Sequence, residues 1–329
     1  MTIKPNPWAA FHSTHLGENI QEVVETEECK VLRMNDVSGE GSMTMYRVFD
    51  GIFLMYNDFH MRSCYSRFTS QSSILCIDHC REGRIEHRTN NGMLHYMEEG
   101  DLRVDRRVHH TGAMDFPLCH YYGITIGFFV EEAQRSITEA VPGIPVDLTA
   151  LAQKFSNDDN PFVLRRDKAV EHIFSELYHV PVKIRMDYFR IKVLELLVYL
   201  NALELTDNVD VQPLFYSSHI EKIKAVHRFL VSDLRRNYTA EVLAGRFSLS
   251  VSALKTGFKG VYGAPLYSYI RAYKMHHAAT LLVQNPGLRI IDVAARVGYD
   301  NPSKFAAAFK TTFGMTPAQY RSNRREKIE

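Results

Sequence analysis

Two sets of side chains in this 329-residue sequence have types and spacings that could do chemistry, and the two chemistries differ. The first set repeats. Ser252, Lys255, Thr256 and Lys259 fall on one face if their segment is helical, and so do Ser303, Lys304, Ala307 and Lys310 in theirs. Short hydroxyls and ammonium groups presented by a helix reach base edges and phosphate oxygens, and a methyl such as that of Ala307 can touch a thymine methyl. The second set is scattered over the first half. Cys76, His79 and Cys80 lie close together, His95, His109, His110 and His120 follow, and the run Tyr56-Asn57-Asp58-Phe59-His60 mixes rings with polar groups. Trp8 is the single tryptophan.

Neutral imidazole and thiolate ligate zinc, copper or iron. The five cysteines, Cys29, Cys64, Cys76, Cys80 and Cys119, nevertheless match no zinc spacing, and their odd number reads as reduced, mostly buried thiols. No protein-held metal is therefore expected. No glycine-rich phosphate loop, nucleophile elbow or metal motif is present, so no catalytic residue is named and an enzyme is not expected. An organic effector is the better match. Trp8, Tyr56, His60, His79 and His95 are the candidates to line its pocket, and a metal chelate is an alternative ligand.

Charge separates the two sets. Residues 219–329 hold 18 Lys+Arg and 7 Asp+Glu, a net of +11, whereas the remainder holds 21 basic and 31 acidic residues, a net of −10. A basic part beside an acidic part points to a polyanionic partner, and double-stranded DNA fits best. No stretch of 18 apolar residues occurs, and Met1 to Ala10 carries no basic-then-apolar leader, so a cytoplasmic protein with no membrane partner is expected.

The elements that must position these residues follow from the pattern. Residues from about 30 to 130 read as short strands separated by turns at Asp50-Gly51, Glu82-Gly83, Asn90-Asn91-Gly92 and Glu99-Gly100-Asp101, which suggests a β-sandwich or small barrel. Val141 to Pro145 is a loop. Asp167 to His179 is helical. From Pro181 to about Leu205 a longer helix carries Ile184, Phe189, Ile191, Leu194, Leu197 and Val198 near helical spacing, a stripe that either the strand domain or a second copy of the chain would cover. The expected organisation is an α+β multidomain chain: a β domain over 1–145, a helical connector and possible dimerisation element over 146–206, a linker over 207–218, and an all-α domain over 219–329 with seven helices.

A repeat sits inside that last domain. Leu243-Ala244 matches Val293-Ala294, Leu254 matches Phe305, Phe258-Lys259 matches Phe309-Lys310, Gly263 matches Gly314 and Tyr269 matches Tyr320, with a one-residue slip across the turn. Thr239, Ser250 and Asn301 are fit N-caps, and Pro302 is a fit first helical residue. Each copy therefore reads as a helix-turn-helix unit, and a helix from about Pro265 to Val283 joins them.

These residues, together with Tyr269-Ile270-Arg271, Ala278, Leu281-Leu282, Val297-Gly298-Tyr299, Thr316-Pro317 and Tyr320-Arg321, resemble the DNA-binding domain of AraC/XylS transcription regulators. Over Leu254 to Phe258 and Phe305 to Phe309 the wording is closest to the siderophore-responsive subgroup, the regulators for pyochelin and yersiniabactin. The resemblance implies a cupin-like sensing domain, a small-molecule effector, a homodimer, RNA polymerase as a partner, and activation more than repression. It places Ser252, Lys255, Thr256, Lys259, Arg271, Ser303, Lys304, Ala307 and Lys310 on DNA. Two departures stand out. Lys274 occupies a position the family usually gives to arginine, and Ala306-Ala307-Ala308 replaces longer polar groups, so the first unit is expected to supply more of the base specificity.

Overall fold

The computed structural model describes residues 8, 14–15, 19–88, 93–155, 161–205, 215–285 and 287–325. The chain divides into two compact units, Met1–Leu214 and Phe215–Glu329.

The first unit is built on one curled sheet. Its strands are β1 (Thr14–His15), β2 (Ile20–Glu25), β3 (Cys29–Asp36), β4 (Gly39–Phe49), β5 (Ile52–His60), β6 (Ser63–Arg88), β7 (Met93–Glu98), β8 (Leu102–Asp115), β9 (Tyr121–Phe129) and β10 (Phe162–Leu164). They run in the order β10-β8-β6-β9-β5-β4-β3-β2, with β1 and β7 also paired to β6. Side chains alternate between the two sheet faces. On the central strands one set, including Phe53, Phe59, Ile74, Cys76, Tyr121 and Phe129, joins Leu32, Met34, Met43 and Met45 in one apolar cluster. The other set, including Ile52, Leu54, Leu75, Ile77, Ile124, Ile126 and Phe128, packs under helices. Gly127 makes room on the first face, because a Cβ there would meet the Phe53 ring at 2.0 Å.

Four helices cover the second face: α1 (Val130–Ala140), α2 (Leu148–Phe155), α3 (Lys168–Leu177) and α4 (Arg185–Ala202). Asp167 caps α3 by accepting from the Ala169 and Val170 amides. The segment expected as a separate connector over 146–206 thus shares its core with the sheet. Its longest helix also differs from expectation. Phe189, Val193, Leu196, Leu197 and Leu200 are buried, but Ile191 and Val198, seven residues apart on it, are 60% and 43% exposed, as is Ile184 (49%) in the short turn just before it.

The expectation of many short strands was wrong for β6, which runs 26 residues. Glu82-Gly83 bends this strand without ending it. Gly83 takes a left-handed φ of 86°, and the register against β9 shifts between Cys80 and Glu82, so the turn signal became a bulge. The turns at Asp50-Gly51 and Gly100 are present, with φ of 74° and 84° at the glycines. The turn at Asn90-Asn91-Gly92 and most of the linker over 207–218 lie outside the described residues.

The second unit holds α5 (Ser217–Ser232), α6 (Ala240–Arg246), α7 (Val251–Tyr262), α8 (Leu266–Gln284), α9 (Ile290–Arg296), α10 (Pro302–Phe313) and α11 (Pro317–Arg325), seven helices among the described residues. Both short helices, α6 and α9, end in the same way. Leu249 N–H donates to Ala244 O and Ser248 N–H to Gly245 O; Tyr299 N–H donates to Ala294 O and Gly298 N–H to Ala295 O. This is the paired closure that needs one left-handed residue. Ser248 fills it in the first copy (φ 51°) and Gly298 in the second (φ 76°).

The two copies should respond differently to a Cβ. At Gly298 it would lie 2.6 Å from Leu234 O and 2.8 Å from Arg235 O, whereas at Gly314 nothing lies within 4 Å. Gly314→Ala should cost about 1 kcal/mol, the strain of a left-handed alanine. Gly298→Ala should cost at least ~1 kcal/mol more, because backbone carbonyls cannot retreat as a side-chain tip can. Urea unfolding of both variants measures the difference, and equal losses would show that close approach does not select glycine at 298.

Candidate functional site

In the second unit, caps fix where each outward helix begins. Thr239 Oγ1 accepts from Val242 N–H to start α6, and Ser250 Oγ from Ala253 N–H at 3.1 Å to start α7. Asn301 Oδ1 accepts from Ser303 and Lys304 N–H at 2.9 and 3.1 Å, and Pro302 opens α10. α9 lacks a side-chain cap, but Arg289 makes two hydrogen bonds to Asp292 at 2.8 and 2.9 Å across its first turn. Behind the outward faces the aromatic residues repeat. Tyr269 packs on Phe258 and Tyr262 at centroid distances of 5.5 and 4.9 Å, and Tyr320 on Phe309 and Phe313 at 5.5 and 5.1 Å.

Leu254, Phe258 and Val261 on α7 and Phe305 and Phe309 on α10 are buried. That packing turns Ser252, Lys255, Thr256 and Lys259 outward on α7, and Ser303, Lys304, Ala307 and Lys310 outward on α10; all eight are exposed, as is Arg271 on α8. Neither α7 nor α10 contains an acidic residue. Sequence reasoning missed one matched pair, Arg246 and Arg296. They end α6 and α9, both are exposed, and the fifty-residue offset between the copies aligns them. Arg246 also lies over the Phe229 ring at 4.2 Å, which fixes its guanidinium. Lys274 has a different task. It is buried, donates to Asn237 Oδ1 at 2.7 Å, and is held below the ordinary lysine pKa by burial. Asn237 Nδ2 in turn donates to Gly298 O at 3.4 Å, so Lys274 ties the α5–α6 loop to the turn of the second copy.

The first unit contains a cavity of about 140 Å³ on the sheet face away from the helices. Its wall is mostly apolar and rich in thioethers: Met34, Met43, Met45, Met55 and Met114 line it, with Phe53, Phe59 and Tyr121. Most of its polar lining belongs to one connected chain that runs on behind the wall. Asn57 Nδ2 donates to Thr125 Oγ1 at 2.9 Å, and Thr125 donates to Asp78 Oδ1 at 2.7 Å. Arg107 bridges Asp78 and Asp105, and Arg103 pairs with Asp105 at 2.8 Å and reaches the His87 ring. Burial works against the Arg107 charge, and the two carboxylates more than offset it, so it stays ionised.

None of the five residues expected to line a pocket lines this one. Trp8 is buried in the apolar cluster, its Nε1–H donating to Thr26 O at 2.8 Å. Tyr56 faces the helices and donates to Leu177 O at 2.6 Å. His79 also faces the helices, stacked on Phe174 at 4.3 Å with its Nδ1 3.2 Å from Tyr178 Oη. His60 is exposed at the end of β5, and His95 stacks behind the lining residue His87 at 5.2 Å. Positions 56 and 79 have the opposite parity to this cavity, and their neighbours Asn57 and Asp78 are the residues that line it. Cys76 lines the cavity too, so it does not converge with His79. Burial pushes the Cys76 and Cys64 thiols up to about 12 and raises Cys80 further, which leaves them protonated and unreactive near neutral pH.

Residues 243–323 match the helix-turn-helix domain family. Over 98 residues the chain is 36% identical to the transcriptional regulator SirC of Salmonella typhimurium, an alignment covering 29% of this chain and 32% of that one. Over 68 residues it is 41% identical to the F1 operon positive regulatory protein of Yersinia pestis, covering 21% of this chain and 22% of that one. The matches thus span a third or less of these relatives. The C-terminal domain of AraT, a response regulator from Geobacillus stearothermophilus, aligns at 29% identity over 31% of this chain and 85% of its own, with a TM-score of 0.30. No described helix is long and apolar enough to cross a membrane.

The buried histidines give the first unit a pH dependence. Burial, with some help from Arg81, lowers the His79 pKa from 6.5 to about 3. Between those values the unfolded chain binds the proton and the folded chain does not, so stability falls as pH drops below 6.5. At pH 5 the penalty reaches about 2 kcal/mol relative to pH 7 for this one group. His79→Asn should flatten the pH 7 to pH 5 difference by that amount in chemical unfolding. An unchanged difference would mean that His79 is already protonated in the fold.

Proposed function

We propose that this chain is a DNA-binding transcription regulator of the AraC/XylS type, an activator that works in the cytoplasm on double-stranded DNA and contacts RNA polymerase. One observation carries the reading: two capped helices in repeated settings, α7 and α10, turn acid-free faces of hydroxyls and lysines to solvent. In this reading each pair, α6–α7 and α9–α10, is a helix-turn-helix unit. α8 spans 19 residues, about 28 Å of helix. That length is close to the ~34 Å of one DNA turn, which supports docking of α7 and α10 in successive major grooves. Ser252, Lys255 and Thr256 read bases, Ser303, Lys304 and Ala307 do so more weakly, and Lys259, Lys310 and Arg271 hold phosphates.

The first unit serves as a cupin-like sensor. Its cavity suits a small apolar organic effector with one polar group directed at the Asn57–Thr125–Asp78 chain. A ferric chelate, the effector type that the subgroup wording suggests, is bulkier and would have to enlarge this space. A second copy of the chain is the partner we assign to the exposed pair Ile191 and Val198 on α4, whose seven-residue interval is that of a two-helix seam, with Ile184 just before the helix.

Selection of bound sequences from random duplex DNA, at two salt concentrations, tests the reading. It should return two short elements about one helical turn apart, bound with steep salt dependence. Lys310→Ala should weaken every sequence alike and reduce the slope of log K against log salt by about 1. Lys255→Ala should in addition relax the preference within one element, whereas Ala307→Ser should change the other element only slightly. Salt-independent affinity, or a selection with no paired elements from folded protein, overturns the reading.

A further inference from the structure

The surface end of the sheet gathers a second constellation that neither the DNA face nor the cavity uses. Asp58 and His60 sit on β5, and His120 immediately precedes β9. In the β5–β9 register Asp58 lies opposite Tyr122, and Phe59 opposite Tyr121, which brings His60 level with His120. All three residues have the parity that faces away from the cavity. One ligand-competent atom from each lies within 4.8 Å of the others. His60 Nε2 is 3.0 Å from Asp58 Oδ1, and the His60 and His120 rings stack at 4.9 Å. Glu82, on the neighbouring strand β6, brings a further carboxylate 3.4 Å from His120 Nε2. His120 Nδ1 is shielded from solvent and has no hydrogen-bond partner among the described residues.

We propose that Asp58, His60 and His120 form a binding site for a divalent transition-metal ion of the zinc type. Two imidazoles and a carboxylate are a ligand set that suits zinc and leaves a fourth tetrahedral position for water. Bonds of 2.0–2.1 Å place tetrahedral ligands about 3.3 Å apart, so the Asp58–His60 pair already stands at nearly the required spacing and His120 needs only a side-chain adjustment. Imidazole disfavours magnesium and calcium, which prefer all-oxygen shells. The sequence hides the site because 60 residues separate its histidines, and β5–β9 pairing removes that separation. Each ligand residue is also next to a cavity-lining residue, Asn57, Phe59 or Tyr121, on the opposite face. An ion bound there restrains the same strand ends that wall the cavity.

Equilibrium dialysis of the untagged full-length protein against zinc chloride, with magnesium chloride as the contrast, tests the site. One zinc per chain and no magnesium is expected. His60→Ala, His120→Ala and Asp58→Asn should each weaken zinc by on the order of tenfold or more and abolish the zinc-dependent rise in Tm. Cys119→Ser, which changes the exposed thiol beside His120, should bind as the unaltered chain does. These side chains are solvent-exposed or partly so, and circular dichroism of each variant should match the parent. Absence of saturable zinc binding overturns the proposal. So does zinc affinity that survives both histidine substitutions, which would place the ion on thiols elsewhere.

Discussion

The constraint on which the first unit depends is burial of both faces of strands β5, β6 and β9. A strand at the edge of a sheet can leave one face in water, but these three lie between an apolar cluster and a layer of helices. Along their central stretches each residue is therefore committed to one of two interiors, and a shift of one position exchanges the interiors. Ile74, Cys76 and Asp78 go to the cavity side, and Leu75, Ile77 and His79 go under α3 and α4. The bulge at Glu82-Gly83 lets β6 continue past the point where it would otherwise leave the sheet, so that its last residues pair with β7.

Charge inside that unit obeys the same economy of partners. Asp78, Arg107, Asp105 and Arg103 form an alternating chain in which each charge touches its opposite. A lone buried carboxylate or guanidinium would cost several kcal/mol, and alternation removes most of that cost without making the chain a strong source of stability. The arrangement gives an apolar cavity one polar side with fixed polarity. Specificity for a polar group on an otherwise oily molecule arises from such a side, because groups left unmatched there would be penalised.

In the second unit the equivalent discipline is geometric. Two helix pairs close with the same backbone hydrogen bonds, although one uses a serine and the other a glycine at the left-handed position. The glycine is required where Leu234 and Arg235 carbonyls crowd it, and Lys274 with Asn237 completes the contact. A lysine that the charge count adds to the basic face is thus an internal strut. The lysines that remain outward, on α7 and α10, are exposed.

By itself the sequence determined the repeat, its caps at Thr239, Ser250 and Asn301, and the outward residues of both α7 and α10. Helical periodicity and cap chemistry are local, acting within three or four residues, so linear text carries them. It also determined that strands precede helices and that the basic residues concentrate near the end of the chain. Tertiary structure alone decided which strand face looks into the cavity, because Tyr56 and Asn57, or His79 and Asp78, are equally plausible liners until the partners on each side are known. It alone decided that Lys274 is buried and that Ile191 and Val198 are not, since two stripes of α4 compete for one core. And it alone brought His60 beside His120, because strand pairing joins residues by register across space while sequence records only their separation along the chain.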